Sequence, residues 1–390
     1  MQWHEDANTS LGPHLVALAR QAVARRPTDA AGWLKLAYAL REAGEPREAL
    51  GCLAEATRHL PTHAALRLAH ARALKDAGAL GAALDEAEGA LEQAPDDVGA
   101  RLLRYELLRQ MRQDEAAAQF DGDIAALAAQ HKLFVVPRAH ALLRDGAAEQ
   151  LLALCDGHLA HRPGHTSAQY YRAMALAKLG RDAQARAALA LDRFVDLATL
   201  AAPPGVPGMA QFCDDLAAQI GRNPTLIPDP RGLATRSGLQ TQRLRQPDAP
   251  AVDLLLAQIK THVDAYVARL GGAPHGFLAA RPERARLHAW AVVCGAQGHQ
   301  APHHHAPGWL SGVFYVAAPR PAAQTAYGGA LMLGAVSSEK YGFAPPWGTR
   351  AVEPVPGSIV LFPSYVSHAT APSGLDEPRI VVSFDVVPLD

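Results

Sequence analysis

The sequence predicts two joined folds: an N-terminal α-solenoid of helical repeats and a C-terminal double-stranded β-helix, that is, a jelly roll of the cupin-like kind. Three observations lead there. Prolines and glycines recur every 34 residues through the first half. Around residues 202–209 (APPGVPGM) the Ala/Leu/Arg texture of amphipathic helices stops. Beyond a last helical stretch, short Val-, Ile- and aromatic-rich runs follow, each bounded by Gly or Pro, the punctuation of a β sandwich or barrel.

The repeat can be checked by subtraction. Pro27, Pro61 and Pro95 are spaced by 34, and Pro163 lies 68 = 2 × 34 beyond Pro95. Gly44, Gly78, Gly146 and Gly180 hold the same phase, with Arg112 in the missing slot. Ala49 matches Ala83 and Ala185, and Ala56 matches Ala90. Glycine permits the tight turn between two helices, alanine their close approach, and proline stops the second helix before the next begins. With Trp33 as the large residue, this pattern resembles the tetratricopeptide repeat. Residues 28–95 hold two clean repeats, two degenerate ones follow, and residues 164–197 hold a fifth. Stacked helix pairs curve into a groove suited to extended peptides, so a peptide or protein partner is expected there. Self-association, as a homodimer through a terminal helix, and a plain scaffold role stay open.

The expected organisation is a repeat domain over 1–200, a linker over 201–227 and the β domain over 228–390. One helix precedes the strands, with Leu255, Leu256, Ile259, Val263 and Val267 at helical spacing. The strands are RLHAWAVVC, WLSGVFYVA, GSIVLFP and RIVVSFDVV.

Composition narrows the function. Hydrophobic residues make up 49%, charged residues 19%, and the net charge is -1, so there is no cationic surplus to neutralise nucleic-acid phosphates. No run reaches the ~20 apolar residues of a membrane span, and the first residues do not read as a secretory signal. Cys52, Cys155, Cys213 and Cys294 stand apart with no CxxC pair, which fits a reducing cytoplasm and argues against disulfides or a cysteine zinc site.

Chemistry concentrates in HHHAPGWLS, residues 303–311. The chain has 18 His, ten of them in the helical half, so position must select among them. On a strand, residues two apart share a face: His303 and His305 can converge while His304 points away. His368, after the strand GSIVLFP, can supply a third ligand, making an open metal site. Arg379 opens the last strand, and Ser383, four residues on, shares its face. An inward Arg in a barrel calls for an anionic partner, and a carboxylate matches its fork best.

These segments together, HHHAPGWLSGVFYV, GSIVLFPSYVSHAT and RIVVSFDVVP, resemble the motifs of iron(II)- and 2-oxoglutarate-dependent oxygenases, over about residues 228–390. The likeness implies that His303, His305 and His368 hold Fe(II), and that Arg379 with Ser383 binds the distal carboxylate of 2-oxoglutarate. Tyr315 is a further candidate for the same cosubstrate. It implies a dioxygenase that takes up O2, decarboxylates 2-oxoglutarate and oxidises an unactivated C–H bond. Joined to tetratricopeptide repeats, it resembles aspartyl/asparaginyl and prolyl hydroxylases, which act on peptidyl residues.

The sequence departs from the common two-His-one-carboxylate site. From Arg284 to Ser338 it has no Asp or Glu, which leaves three neutral imidazoles, or two and a water. Ala306 stands directly after the HxH, with Pro307 one later, so His299 and His304 remain candidate substitutes. Trp290 and Trp309 are candidates for the pocket wall, with plain core as the alternative. Lys340, Tyr341 and Arg350 are candidates for substrate contact, with a solvated loop as the alternative. Rival chemistries are a three-His cupin thiol dioxygenase without 2-oxoglutarate, a zinc hydrolase, and an inactive domain on an interaction scaffold.

Overall fold

The computed structural model describes residues 1–4, 12–43, 45–131, 134–229, 233–319, 328–337 and 341–389. By internal contacts the chain forms two compact units, Ser10–Arg138 and Met1–Thr9 together with Ala139–Asp390. Among the described residues no helix is long and apolar enough to cross a membrane.

Antiparallel helix pairs follow the 34-residue period: Ala30–Glu42 with Pro46–His59, then Ala64–Asp76 with Leu80–Gln93. Val98–Gln110 is answered by two shorter helices, Asp114–Ala118 and Asp121–Gln130. Ala148–His161 precedes the last pair, Thr166–Lys178 with Asp182–Leu189. The small positions are where the helices touch: Ala49, Ala56, Ala83, Ala90 and Ala185 are each at most 1% exposed.

Each turn needs one left-handed residue. Gly78, Gly146 and Gly180 have φ of 84°, 71° and 69°, and Arg112, in the glycine-less slot, is held at 56°. Gly44 lies outside the described residues. A tie not anticipated from the sequence recurs at the same period, in which a side chain donates to the proline carbonyl six residues back. Trp33 Nε1 reaches Pro27 O at 2.8 Å, Arg67 Nε reaches Pro61 O at 2.6 Å, and Arg101 Nε reaches Pro95 O at 2.7 Å. Gln169 Nε2 does the same to Pro163 O. Three residue types perform one task because only an N–H at the right reach is required.

The second unit holds an eleven-stranded sheet: β1 Gln2–His4, β2 Asp196–Thr199, β3 Leu226–Pro228, β4 Thr235–Thr241, β5 Arg284–His303, β6 Leu310–Ala317, β7 Leu331–Leu333, β8 Arg350–Val352, β9 Ser358–Pro363, β10 His368–Thr370 and β11 Arg379–Pro388. Its main path runs β2-β9-β6-β11-β5-β10-β7-β8, antiparallel throughout, while β1 adds to β5 in parallel.

β5 curls this sheet. Its first half, through Cys294, pairs with β11, and its last residues pair with β10. Asp385 lies opposite His288 near the start of β5, yet its side chain reaches His305, 17 residues further on (305 − 288). A straight strand would separate those residues by about 56 Å, so β5 doubles back on itself. The bend has room only for glycine at Gly298, where a Cβ would lie 2.6 Å from Cys294 Cβ and 2.9 Å from Ser237 O.

The contact division falls elsewhere than the division at 200 and 228 read from composition. The last helix pair packs with the sheet: Thr166 Oγ1 donates to Gly308 O at 2.8 Å, and Tyr365 Oη to Leu189 O at 3.1 Å. β2 pairs with β9, and residues 201–227 contain a helix, Met209–Gly221, that buries Phe212, Leu216 and Ile220. The Pro/Gly punctuation is real, but it marks turns inside a packed body, because short apolar stretches between turns still find partners.

Candidate metal centre and anion pocket

The fold-back of β5 brings three histidines to one point. His303 closes β5 directly opposite His368 of β10. His305 follows in the turn toward β6, held by its backbone N–H donating to Ser364 O at 3.0 Å. Ring centroids lie 4.3 Å apart for His303 and His368, and 4.9 Å from His305 to each. One ring nitrogen from each residue fits within 4.8 Å of the others.

The tautomers follow from what surrounds the rings. His303 Nδ1 lies 2.8 Å from Ala301 O, His368 Nδ1 lies 3.1 Å from Val366 O, and His305 Nδ1 lies 2.6 Å from Asp385 Oδ1. All three partners are acceptors, so each Nδ1 carries the proton and each Nε2 presents a lone pair to the common centre. His303 Nε2 and His305 Nε2 face one another at 3.0 Å. With both nitrogens unprotonated, a cation held between them offsets their repulsion, and two nitrogens ~2.1 Å from one ion at a right angle lie about 3.0 Å apart. Burial, reinforced by the neighbouring imidazoles, lowers His303 to about 4 and His368 well below the ordinary histidine range. His303 and His368 are thus held neutral, as ligands must be.

His304 has a different place. Its Nε2 lies 3.0 Å from Ser167 Oγ, and its ring stacks on Tyr170 with centroids 4.6 Å apart, both residues belonging to the last repeat. Burial drives it down to about 3. His299, with Nδ1 3.1 Å from Gln297 O, stands outside the trio, so the strand end at His303 and the turn after it together sort the run HHH.

A second polar group lies toward the other end of β11. Arg379 is 2% exposed and donates to Gly329 O at 2.9 Å and Thr370 Oγ1 at 3.0 Å, with Cys294 Sγ at 3.6 Å. Among the described residues no carboxylate pairs with it. Tyr315, 1% exposed on β6, has a buried hydroxyl with no partner among the described residues. Burial raises it to about 12, against the pull of the Arg379 charge. Ser383, 4% exposed, has the same inward parity on β11. A buried cation beside an orphaned hydroxyl is an arrangement that an anion would complete.

The other candidates divide. Trp290 is half-buried, with its ring centroid 5.4 Å from that of His305, at the edge of the trio. Trp309 stacks on Phe277 at 4.5 Å and donates Nε1 to Phe277 O at 2.9 Å, a core position. Arg350 lies on β8 opposite Leu333. Tyr341 stands near His140, and Lys340 lies outside the described residues. The sequence reading missed Asp385, although its signal was present: 379, 383 and 385 share parity on one strand, so Asp385 faces inward with Arg379 and Ser383.

Residues 288–385 match the model of a family described as "Putative 2OG-Fe(II) oxygenase". No curated protein matches the chain. Among solved structures it is similar to a Pseudomonas putida prolyl-4-hydroxylase, at 17% identity and TM-score 0.37, covering 54% of this chain and 100% of that one. It is similar to a Trichoplax adhaerens prolyl hydroxylase in complex with a hypoxia-inducible-factor peptide fragment, at 13% and 0.33, covering 50% and 84%. YrrB, a TPR protein with an unusual peptide-binding site, is similar at 17% and 0.36, covering 45% and 90%. The chain thus carries, after antiparallel helix pairs at a 34-residue period, a segment over residues 288–385 that matches the model of that oxygenase family.

Proposed function

We propose that this protein is an iron(II)- and 2-oxoglutarate-dependent dioxygenase that hydroxylates or otherwise oxidises an unactivated C–H bond, on a peptide or protein side chain presented by the repeats. The observation that carries the metal assignment is the convergence of His303, His305 and His368, one ring nitrogen from each within 4.8 Å of the others, with each Nδ1 facing an acceptor. Bound there, iron with 2-oxoglutarate and O2 supplies the oxidation of the C–H bond, coupled to decarboxylation of the cosubstrate.

The chain's own residues do the rest. His303 and His368, kept neutral by burial, offer nitrogens without competing protons, and His305 turns its Nε2 to the same centre while its Nδ1 faces Asp385. Arg379 offers its guanidinium to the distal carboxylate of 2-oxoglutarate, and the Tyr315 and Ser383 hydroxyls add donors to the same anion. Peptide presentation is supported by the last repeat helix, which meets the histidine turn through Thr166 on Gly308 and Ser167 on His304.

The test is an anaerobic titration of the full chain with Fe(II) and then 2-oxoglutarate, followed by visible absorbance. The expected result is a weak charge-transfer band that requires both additions. In Arg379→Ala, apparent affinity for 2-oxoglutarate falls about 100-fold, the loss of charge-assisted hydrogen bonds worth about 3 kcal/mol. A band that forms with iron alone, or one indifferent to Arg379, sinks the cosubstrate assignment.

A further inference from the structure

Three imidazoles protonated on Nδ1 are neutral donors, and residues 284–338 contribute no Asp or Glu. The structure brings one carboxylate to the trio from 80 residues away. Asp385 is 5% exposed, and its Oδ1 lies 2.6 Å from His305 Nδ1. Ser311 Oγ donates to the same oxygen at 2.6 Å and lies 2.8 Å from Ser364 Oγ. The histidine turn closes tightly over this cluster: at Gly308 a Cβ would stand 2.4 Å from Ser364 Oγ and 3.3 Å from Asp385 Cβ.

We propose that Asp385 is a positioning residue for the metal, supplying through His305 the negative charge that the three-histidine set lacks. His303 and His368 give their Nδ1 protons to backbone carbonyls, whereas His305 gives its proton to a carboxylate. A carboxylate draws that proton more strongly than a carbonyl, so electron density shifts toward Nε2 and His305 becomes the strongest donor of the three. The converse argument agrees. Among the described residues Asp385 is partnered only by an imidazole and a hydroxyl, and a buried carboxylate so placed is stabilised by a divalent cation one ring away. β11 thereby serves both charges of the site, Arg379 for the anion and Asp385 for the cation.

The inference rests on the metal reading above, and the experiment separates the two. Metal-free full-length protein is titrated with Co(II), reading affinity by competition with a chelator and donor strength from the ligand-field spectrum. In Asp385→Asn, which keeps the shape and an acceptor oxygen, Co(II) affinity falls about 10- to 100-fold with a shifted spectrum, while the melting temperature of the metal-free protein does not fall. Asp385→Glu, which keeps the charge, recovers part of the affinity. If Asp385→Asn binds Co(II) as wild type does with an unchanged spectrum, or only lowers the melting temperature, Asp385 is structural and the inference fails while the metal reading stands. If wild type takes up no Co(II), or the His303→Ala/His368→Ala double variant takes it up equally well, both fail.

Discussion

The repeats and the curled sheet solve opposite problems. In the repeats every recurring device is local: a left-handed turn residue, an alanine contact, and a side chain tied to a proline carbonyl six residues back. Those devices therefore print a period into the sequence, and losing one damages one turn. In the sheet the decisive partners are remote, with His305 bonded to Asp385 and His303 paired with His368. Single changes there should abolish a property, whereas single changes in the repeats should shave stability.

The largest expected effect is in the sheet. His303→Ala with His368→Ala should lower Fe(II) affinity by more than about 100-fold, beyond what loss of an outer partner costs, with helix content by circular dichroism unchanged. Retained affinity would mean that the trio is only a polar cluster.

Next comes pH. His303 sits at about 4 in the fold against 6.5 for an ordinary histidine. As pH falls through 6.5 the unfolded chain takes up a proton that the folded ring refuses. Stability of the metal-free protein is thus fully present above that range, declines between 6.5 and about 4, and levels off below. Thermal melts at pH 7, 5.5 and 4.5 should show the decline, and His303→Gln should make it shallower without removing it, because His304 and His368 are depressed in the same direction. An unchanged slope in the variant would assign the whole effect to His304, His368 and other groups.

Smaller effects belong to the repeats. Arg101→Met removes the donor that reaches Pro95 O at 2.7 Å and should cost about 1 kcal/mol in urea denaturation. Arg112→Gly should act in the opposite direction. Relieving a non-glycine residue held at φ 56° should gain about 1 kcal/mol. If Arg112→Gly destabilises, the equivalence of the 34-residue slots is broken.

The same contrast explains what could be read in advance. Pro27, Pro61, Pro95 and Pro163 mark helix ends because proline acts on its own backbone neighbourhood. The HxH pair was legible from the local rule of strand alternation, although the structure reaches the same grouping differently, with His303 closing β5 and His304 and His305 in the turn that follows. Arg379 and Ser383 yielded to that rule as well. The tie from Trp33, Arg67, Arg101 and Gln169 escaped notice because its residue type varies while its hydrogen bond does not. The strands at 2–4 and 196–199 escaped because three or four residues carry too little pattern and gain their identity only from β5 and β9.

By itself, then, the sequence determined the repeat period, the change from helical to strand texture and the inward-facing residues of single strands, all consequences of interactions a few residues long. Tertiary structure alone decided that β5 doubles back at Gly298, that the last helix pair packs against the sheet, and that the carboxylate absent from the histidine strand arrives from β11. Those outcomes depend on which distant surfaces bury one another, and no spacing along the chain records that choice.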